Sequence, residues 1–299
     1  MKEIAVISKT KGLDLRKDSA TFSYSETGYE FLQALVNADV TDGNLLVRRN
    51  GYEVVLPVSF GHSLVSHLRD LYFASEGNIY AFAPGESPRL VRTNVGGEIA
   101  WLSLGDKLFY TDGVSTGFIH DYTDYAWKPG PYVGPENTRD RSAPPPGTCL
   151  SYFRGRIFIG AGKTIWFTNP MEPFVVDKAR NFISMEEPVV GLASTDSLLV
   201  IGTTEGVYLL SGAESKEFSL AKVSNSAMIA GTEIEVLYVN VLGKPVTGKS
   251  VIYTATDGIY VVTPDGSVID ITQERLCLPN TAKGSAMYYR GFYTVLIDE

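Results

Sequence analysis

One local pattern recurs along this chain and limits what it can become. A short run of β-branched and aromatic residues meets a glycine-containing turn, and a second such run follows. The pattern stands at Gly105–Gly113, Arg154–Asn169, Asp196–Gly212 and Lys249–Gly266. An isolated hairpin cannot bury its faces, so recurring hairpins must pack against one another. Strands matching this pattern centre near Leu45, Leu71, Leu108, Ile157, Leu198, Val251 and Phe292. Most gaps between them are about 35 to 55 residues, the span of a four-stranded propeller blade.

The expected fold is therefore all-β. It is a single β-propeller domain over residues 1–299 with about six blades, five or seven being the alternatives. A pair of β-sandwiches is the competing arrangement. The last strand, Gly291 to Ile297, reaches the chain end with nothing after it to pair with. In a ring fold it closes the circle with strands from the beginning of the chain, Glu3 to Ser8 among them. Near-helical spacing occurs only in Gly28 to Asn37, where Phe31, Leu32 and Leu35 recur; that run is too short to define a helix. Dipeptides such as Asp42-Gly43, Asp112-Gly113 and Asp257-Gly258 suit tight hairpin turns that need positive φ.

Of the 299 residues 44% are hydrophobic, enough for a sizeable core. The net charge of −8 disfavours a protein that wraps nucleic acid, which needs clustered Lys and Arg. An acidic surface still suits a channel that DNA passes without sticking. Cys149 and Cys277 stand far apart without a CxxC companion, so neither a zinc site nor a disulfide framework is implied. No apolar run approaches the roughly 20 residues of a membrane span, and no signal peptide is visible. The expectation is a soluble protein made in a cytoplasm.

Motifs that carry chemistry are scarce. His62, His67 and His120 lack carboxylates at metal-ligand spacing and read as ordinary loop histidines. There is no GxSxG elbow. Gly160 to Thr164 (GAGKT) lacks phosphate-loop spacing and joins two strands, so it reads as a hairpin turn. The acid pairs Asp121 with Asp124 and Glu186 with Glu187 read as surface loops rather than a glycosidase pair. Arg48 and Arg49 sit together on a basic hairpin tip, where blade-edge ion pairs are the simpler reading. The expectation is a protein that is not an enzyme, with no cofactor and no metal.

The segment from Asp124 to Gly147 (DYAWKPGPYVGPENTRDRSAPPPG) breaks the rhythm and is expected to form a projecting loop. Aromatic and arginine side chains dominate binding hot spots. Tyr125, Trp127, Tyr132, Arg139, Asp140 and Arg141 are accordingly the candidate interface residues, with the aromatics expected to be exposed.

Four strings carry a family resemblance. They are Ala34–Tyr52 (ALVNADVTDGNLLVRRNGY), Tyr152–Pro170 (YFRGRIFIGAGKTIWFTNP), Asp177–Ile183 (DKARNFI) and Gly202–Gly212 (GTTEGVYLLSG). In that order they resemble the virion β-propellers of bacteriophages, the tail nozzle and head-to-tail accessory proteins of short-tailed phages. The four strings cover about a fifth of the chain. The resemblance implies a non-enzymatic structural component of a tail or head-to-tail connector. It implies a homo-oligomeric ring around a DNA channel, with other virion tail or connector proteins as partners and the virion as location. DNA would pass nearby without specific binding. The family brings no catalytic residues. The alternative from a different class is a carbohydrate-binding or glycan-cleaving propeller, which needs a pocket with stacked aromatics and paired acids.

Overall fold

The hairpins read from the sequence are the central strands of four-stranded antiparallel meanders. The computed structural model describes residues 10–13, 30–32, 38–40, 46–48, 58–130, 141–272, 276–278, 283–289 and 291–298. Near the start lie β1 (Thr10–Leu13), parallel to β2 (Glu30–Leu32), and an antiparallel pair, β3 (Ala38–Val40) with β4 (Leu46–Arg48). Blade one comprises β5 (His62–His67), β6 (Asp70–Ser75), β7 (Asn78–Phe82) and β8 (Arg89–Thr93). Blade two comprises β9 (Ala100–Leu104), β10 (Lys107–Thr111), β11 (Thr116–His120) and β12 (Thr123–Ala126). Blade three comprises β13 (Cys149–Phe153), β14 (Arg156–Ala161), β15 (Thr164–Phe167) and β16 (Phe182–Ser184). Blade four comprises β17 (Val189–Ser194), β18 (Leu199–Thr203), β19 (Gly206–Ser211) and β20 (Ser219–Ser224). Blade five comprises β21 (Ile234–Val241), β22 (Lys244–Ala255), β23 (Gly258–Val262) and β24 (Val268–Asp270). A last antiparallel hairpin, β25 (Lys283–Tyr289) and β26 (Phe292–Asp298), follows.

Alternation along the central strands explains how the blades stack. Successive side chains leave opposite faces of a strand. In β18 all five residues are buried. Leu199 and Ile201 enter a core shared with Phe158 and Phe167 of blade three, while Val200 enters one shared with Val251 and Tyr253 of blade five. The same sharing joins blade one to two through Tyr72 and Leu108, and two to three through Phe109 and Ile157. A sheet in a sandwich packs one face and leaves the other to solvent. Here the middle sheets pack both, so the sandwich alternative gives way to a propeller-like stack in chain order. The first strands of successive blades lie against one another, β5 through β25 in series, and form the inner layer.

Tight turns need positive φ at their centre. Arg154 and Gly155, at φ 50° and 76°, join β13 to β14 in such a turn; the glycine accepts this geometry without a Cβ clash.

One expectation needs correction. The final strand is not without a sequence neighbour: β26 pairs with β25 from Lys283↔Asp298 to Tyr289↔Phe292. The sequence of β25 (KGSAMYY) hides this partner, because only one of its faces is packed. That face docks on blade five. Tyr288 and Tyr293 join the core of Val236, Val239 and Ile252, and the Tyr293 hydroxyl donates to the Thr232 carbonyl at 2.7 Å. Within the stretch of near-helical spacing, Glu30–Leu32 is strand β2. The strand expected at Glu3 to Ser8 lies outside the described residues. Among the described residues, no ladder joins β26 to β1, β2, β3 or β4.

Candidate functional site

The segment after β11 begins as an outer strand, not as a loop. Asp124 and Tyr125 belong to β12, and Tyr125 is 44% exposed, its ring stacked on Phe118 at 5.2 Å. Trp127, expected to be exposed, is buried. Its ring packs 5.0 Å from Phe109, and its indole Nε1 donates to the Pro173 carbonyl at 2.7 Å. A tryptophan next to two aromatic-rich blades gains more by burying its ring than by standing in water, provided its N–H finds an acceptor. Arg141 is half-buried and donates to Glu172 Oε1 at 3.4 Å. Ser142 and Val176 exchange backbone hydrogen bonds, and Gly113 N donates to the Gly147 carbonyl. Both described ends of the segment are thus fastened to the blades. Tyr132, Arg139 and Asp140 lie outside the described residues.

Trp127 and Arg141 converge on one loop, residues 168–181 of blade three, where the sequence strings also meet. Arg156 is buried beside the Phe167 ring and donates to the Thr168 carbonyl at 3.2 Å. Thr168 Oγ1 accepts from the Ile157 amide at 2.9 Å. Asn181 Nδ2 donates to Asn169 Oδ1 at 2.7 Å, and Asn169 Nδ2 donates to Glu172 Oε2 at 2.8 Å. The strings R-G-R-I, T-N-P and A-R-N-F-I therefore form one polar network. It satisfies a loop that would otherwise bury unpaired backbone groups.

The titratable residues singled out in the sequence separate in space. His67 is buried, which pushes its pKa below the usual range, and its Nδ1 pairs with Ser103 Oγ at 2.8 Å. His120 Nδ1 lies 3.3 Å from Asp106 Oδ2, and His62 pairs with Ser63. Among the described residues, no group of three or more His, Cys, Asp or Glu side chains is placed to hold a metal ion. Asp124 accepts from the Tyr110 hydroxyl at 2.6 Å and pairs with Arg92 of blade one at 3.3 Å. Burial raises the Tyr110 hydroxyl well above its usual pKa. Tyr110 reaches across β11 because Gly117 stands in its path: a Cβ there would lie 2.2 Å from the hydroxyl. Glu187 accepts from Tyr208 at 3.1 Å. Burial likewise pushes the Cys149 thiol up, the opposite of an activated nucleophile. GAGKT turns between β14 and β15. Arg48 ends β4, and Arg49 lies outside the described residues.

The inner layer holds a polar cluster that sequence inspection missed. Glu235 Oε1 accepts from the Ser194 amide at 2.7 Å and the Ser194 hydroxyl at 2.8 Å. Lys249 Nζ stands 2.6 Å from Glu235 Oε2 and 2.7 Å from Ser194 Oγ. Ser194 Oγ also lies 2.8 Å from the Tyr152 carbonyl, so the cluster touches three blades. The ion pair to Glu235 and the contact with Ser194 Oγ hold the lysine and the serine in place against each other. Two residues earlier, Glu233 is pushed up to about 7 by burial, against the pull of nearby backbone amides. One of its oxygens is buried without a partner. The available signal was a pair of acids two residues apart, Glu233 just before β21 and Glu235 within its apolar first half.

Comparison with known proteins extends the fold only. No described protein family matches the chain. No curated protein sequence matches it either. It is similar in structure to the extracellular domain of a hybrid two-component system from B. thetaiotaomicron, with a TM-score of 0.51 at 11% identity over 81% of this chain. The matched part is 31% of that protein chain. A catalytically inactive virginiamycin B lyase from Staphylococcus aureus, solved with quinupristin, gives 0.49 at 11% identity over 87% of this chain and 84% of its own. The Neurospora crassa Pan2 WD40 domain gives 0.42 at 10% identity over 70% of this chain and 64% of its own. Among the described residues, no helix is long and apolar enough to cross a membrane.

Proposed function

We propose that this protein is a non-enzymatic structural component of a bacteriophage tail or head-to-tail connector, assembling as a homo-oligomeric ring around the DNA channel. The observation that carries the reading is the ordered set of strings resembling phage virion propellers. Three of the four fall on adjacent blades, three and four, and two of these share one hydrogen-bonded network in blade three. The net charge of −8 suits a wall past which DNA slides. The inner-layer cluster of Ser194, Glu235 and Lys249 serves packing in this reading, and the partners are other tail or connector proteins.

The same proposal completes the fold. The hairpin β25–β26 leaves Met287, Tyr289, Phe292 and Leu296 exposed on the face turned away from blade five. The pair β3–β4 is likewise two-stranded. Joined, the two hairpins make a sixth four-stranded blade and close the ring, removing an open edge that otherwise invites aggregation. Lys283 Nζ lies 3.9 Å from Glu98 in the connection between blades one and two, a contact that supports this closure.

The test is mass spectrometry of purified phage particles from the genome encoding this chain, with glycan binding by the isolated protein measured in parallel. Peptides of the chain in stoichiometric amounts in particles support the reading. Particles without it, together with specific glycan binding, replace it with the carbohydrate-binding alternative.

A further inference from the structure

Blade five differs from the others in its first hairpin. Strand β21 has 8 residues and β22 has 12, against 5 or 6 for the corresponding strands of blades one to four. The surplus forms a ribbon whose turn is Leu242-Gly243. Leu242 is 56% exposed and held at φ 49°, a left-handed conformation that leucine rarely adopts. Leu237 and Tyr238 on the same ribbon are 76% and 54% exposed. A turn that needs positive φ is served best by glycine or asparagine; Leu68 in the β5–β6 turn is held the same way, and what sets Leu242 apart is the length of the ribbon that carries it.

A groove of about 380 Å³ runs along one side of this ribbon, beginning at Pro245 just past the turn. Pro245, Val246, Pro264 and Ile269 give it apolar walls, and Asp265 stands at its rim among threonine and serine hydroxyls. Asp265 accepts from the Thr263 hydroxyl and, more weakly, from the Ser267 amide and Oγ, which lower its pKa below the usual carboxylate value. The ribbon turn thus presents an apolar tip followed by Lys244, and the groove presents apolar walls beside an acid.

We infer that the ribbon tip of one copy of this chain seats in the blade-five groove of a second copy, with Leu242 against Pro264 and Ile269 and Lys244 against Asp265. Each tip seats in the groove of the next copy without reciprocal exchange, so the contact is head-to-tail and closes as a ring when the rotation allows. The inference rests on the proposed homo-oligomer and names the contact that holds it.

Sedimentation velocity and light scattering across a concentration series test it. Leu242→Gly suits the backbone, so the variant keeps or raises the melting temperature while its association weakens at least tenfold. Lys244→Asp and Asp265→Lys each weaken association alone, and mixing the two variants restores it, because each tip then meets a groove of opposite charge. Assembly of the wild type that Leu242→Gly leaves unchanged, or a charge-swapped mixture that stays dissociated, overturns this contact and leaves the ring reading standing. A wild type that remains monomeric at all concentrations also overturns the contact, and the particle analysis then decides the ring reading separately.

Discussion

Trp127 sits at the junction of two blades, and its surroundings decide what its loss does. It is 2% exposed, packed on Phe109 and hydrogen-bonded to Pro173. Truncating a buried aromatic of this kind costs about 3–5 kcal/mol. Trp127→Ala should therefore lower the urea midpoint by a corresponding amount; a change below about 1 kcal/mol, within surface-substitution range, contradicts the placement. Glu233 offers a second residue-scale test. Burial raises its pKa from the ordinary 4.5 to about 7 in the folded protein. Between those values the folded state binds more protons than the unfolded chain, so stability falls as pH rises from about 4.5 to 7. The drop is on the order of 1 to 3 kcal/mol. Glu233→Gln removes this slope, which chemical denaturation at pH 5 and pH 7.5 measures directly; an unchanged slope in the variant contradicts the assignment.

Elements differ in how openly the sequence announces them. The central strands β10, β14, β18 and β22 are buried on both faces along much of their length, so their runs of Leu, Ile, Val, Phe and Tyr read as strands without any structure. Outer strands such as β16 (FIS) and β24 (VID) have three residues each, too few for a pattern. Strand β25 hid behind Gly, Ser and Ala, and that produced the misreading of the chain end. Trp127 was misread because its neighbours are prolines and polar residues, whose composition speaks for a loop but not for where one aromatic ring goes. Of the candidate interface, Tyr125 is the described residue that stands open to solvent, while Arg141 is anchored to Glu172. The terminal hairpin makes the element-scale prediction. Deleting residues 291–299 leaves β25 without its ladder partner and removes Tyr293 from the blade-five core. Burial of each large side chain is worth roughly 1.5–3 kcal/mol, and whole-domain stability is about 5–15 kcal/mol. The truncated chain should aggregate on expression; a soluble product with a normal cooperative melt contradicts the structural role of the hairpin.

At the scale of the molecule, five four-stranded meanders stack so that each core belongs to two neighbours. Such a stack gains its stability at the blade-to-blade contacts. It is left with two exposed ends unless the first and last elements meet. The proposed sixth blade removes those ends, and in the proposed assembly the ribbon of blade five grips the next copy. The fold by itself carries many unrelated functions, so the assignment to a tail rests on the phage-like strings and on the assembly they imply. Reconstruction by electron cryomicroscopy of intact particles from the encoding phage tests this most directly. The account predicts copies of this propeller arranged as a ring about the tail axis, with DNA or its empty channel running through the centre. Particles whose tails and connectors are fully accounted for by other chains would contradict it.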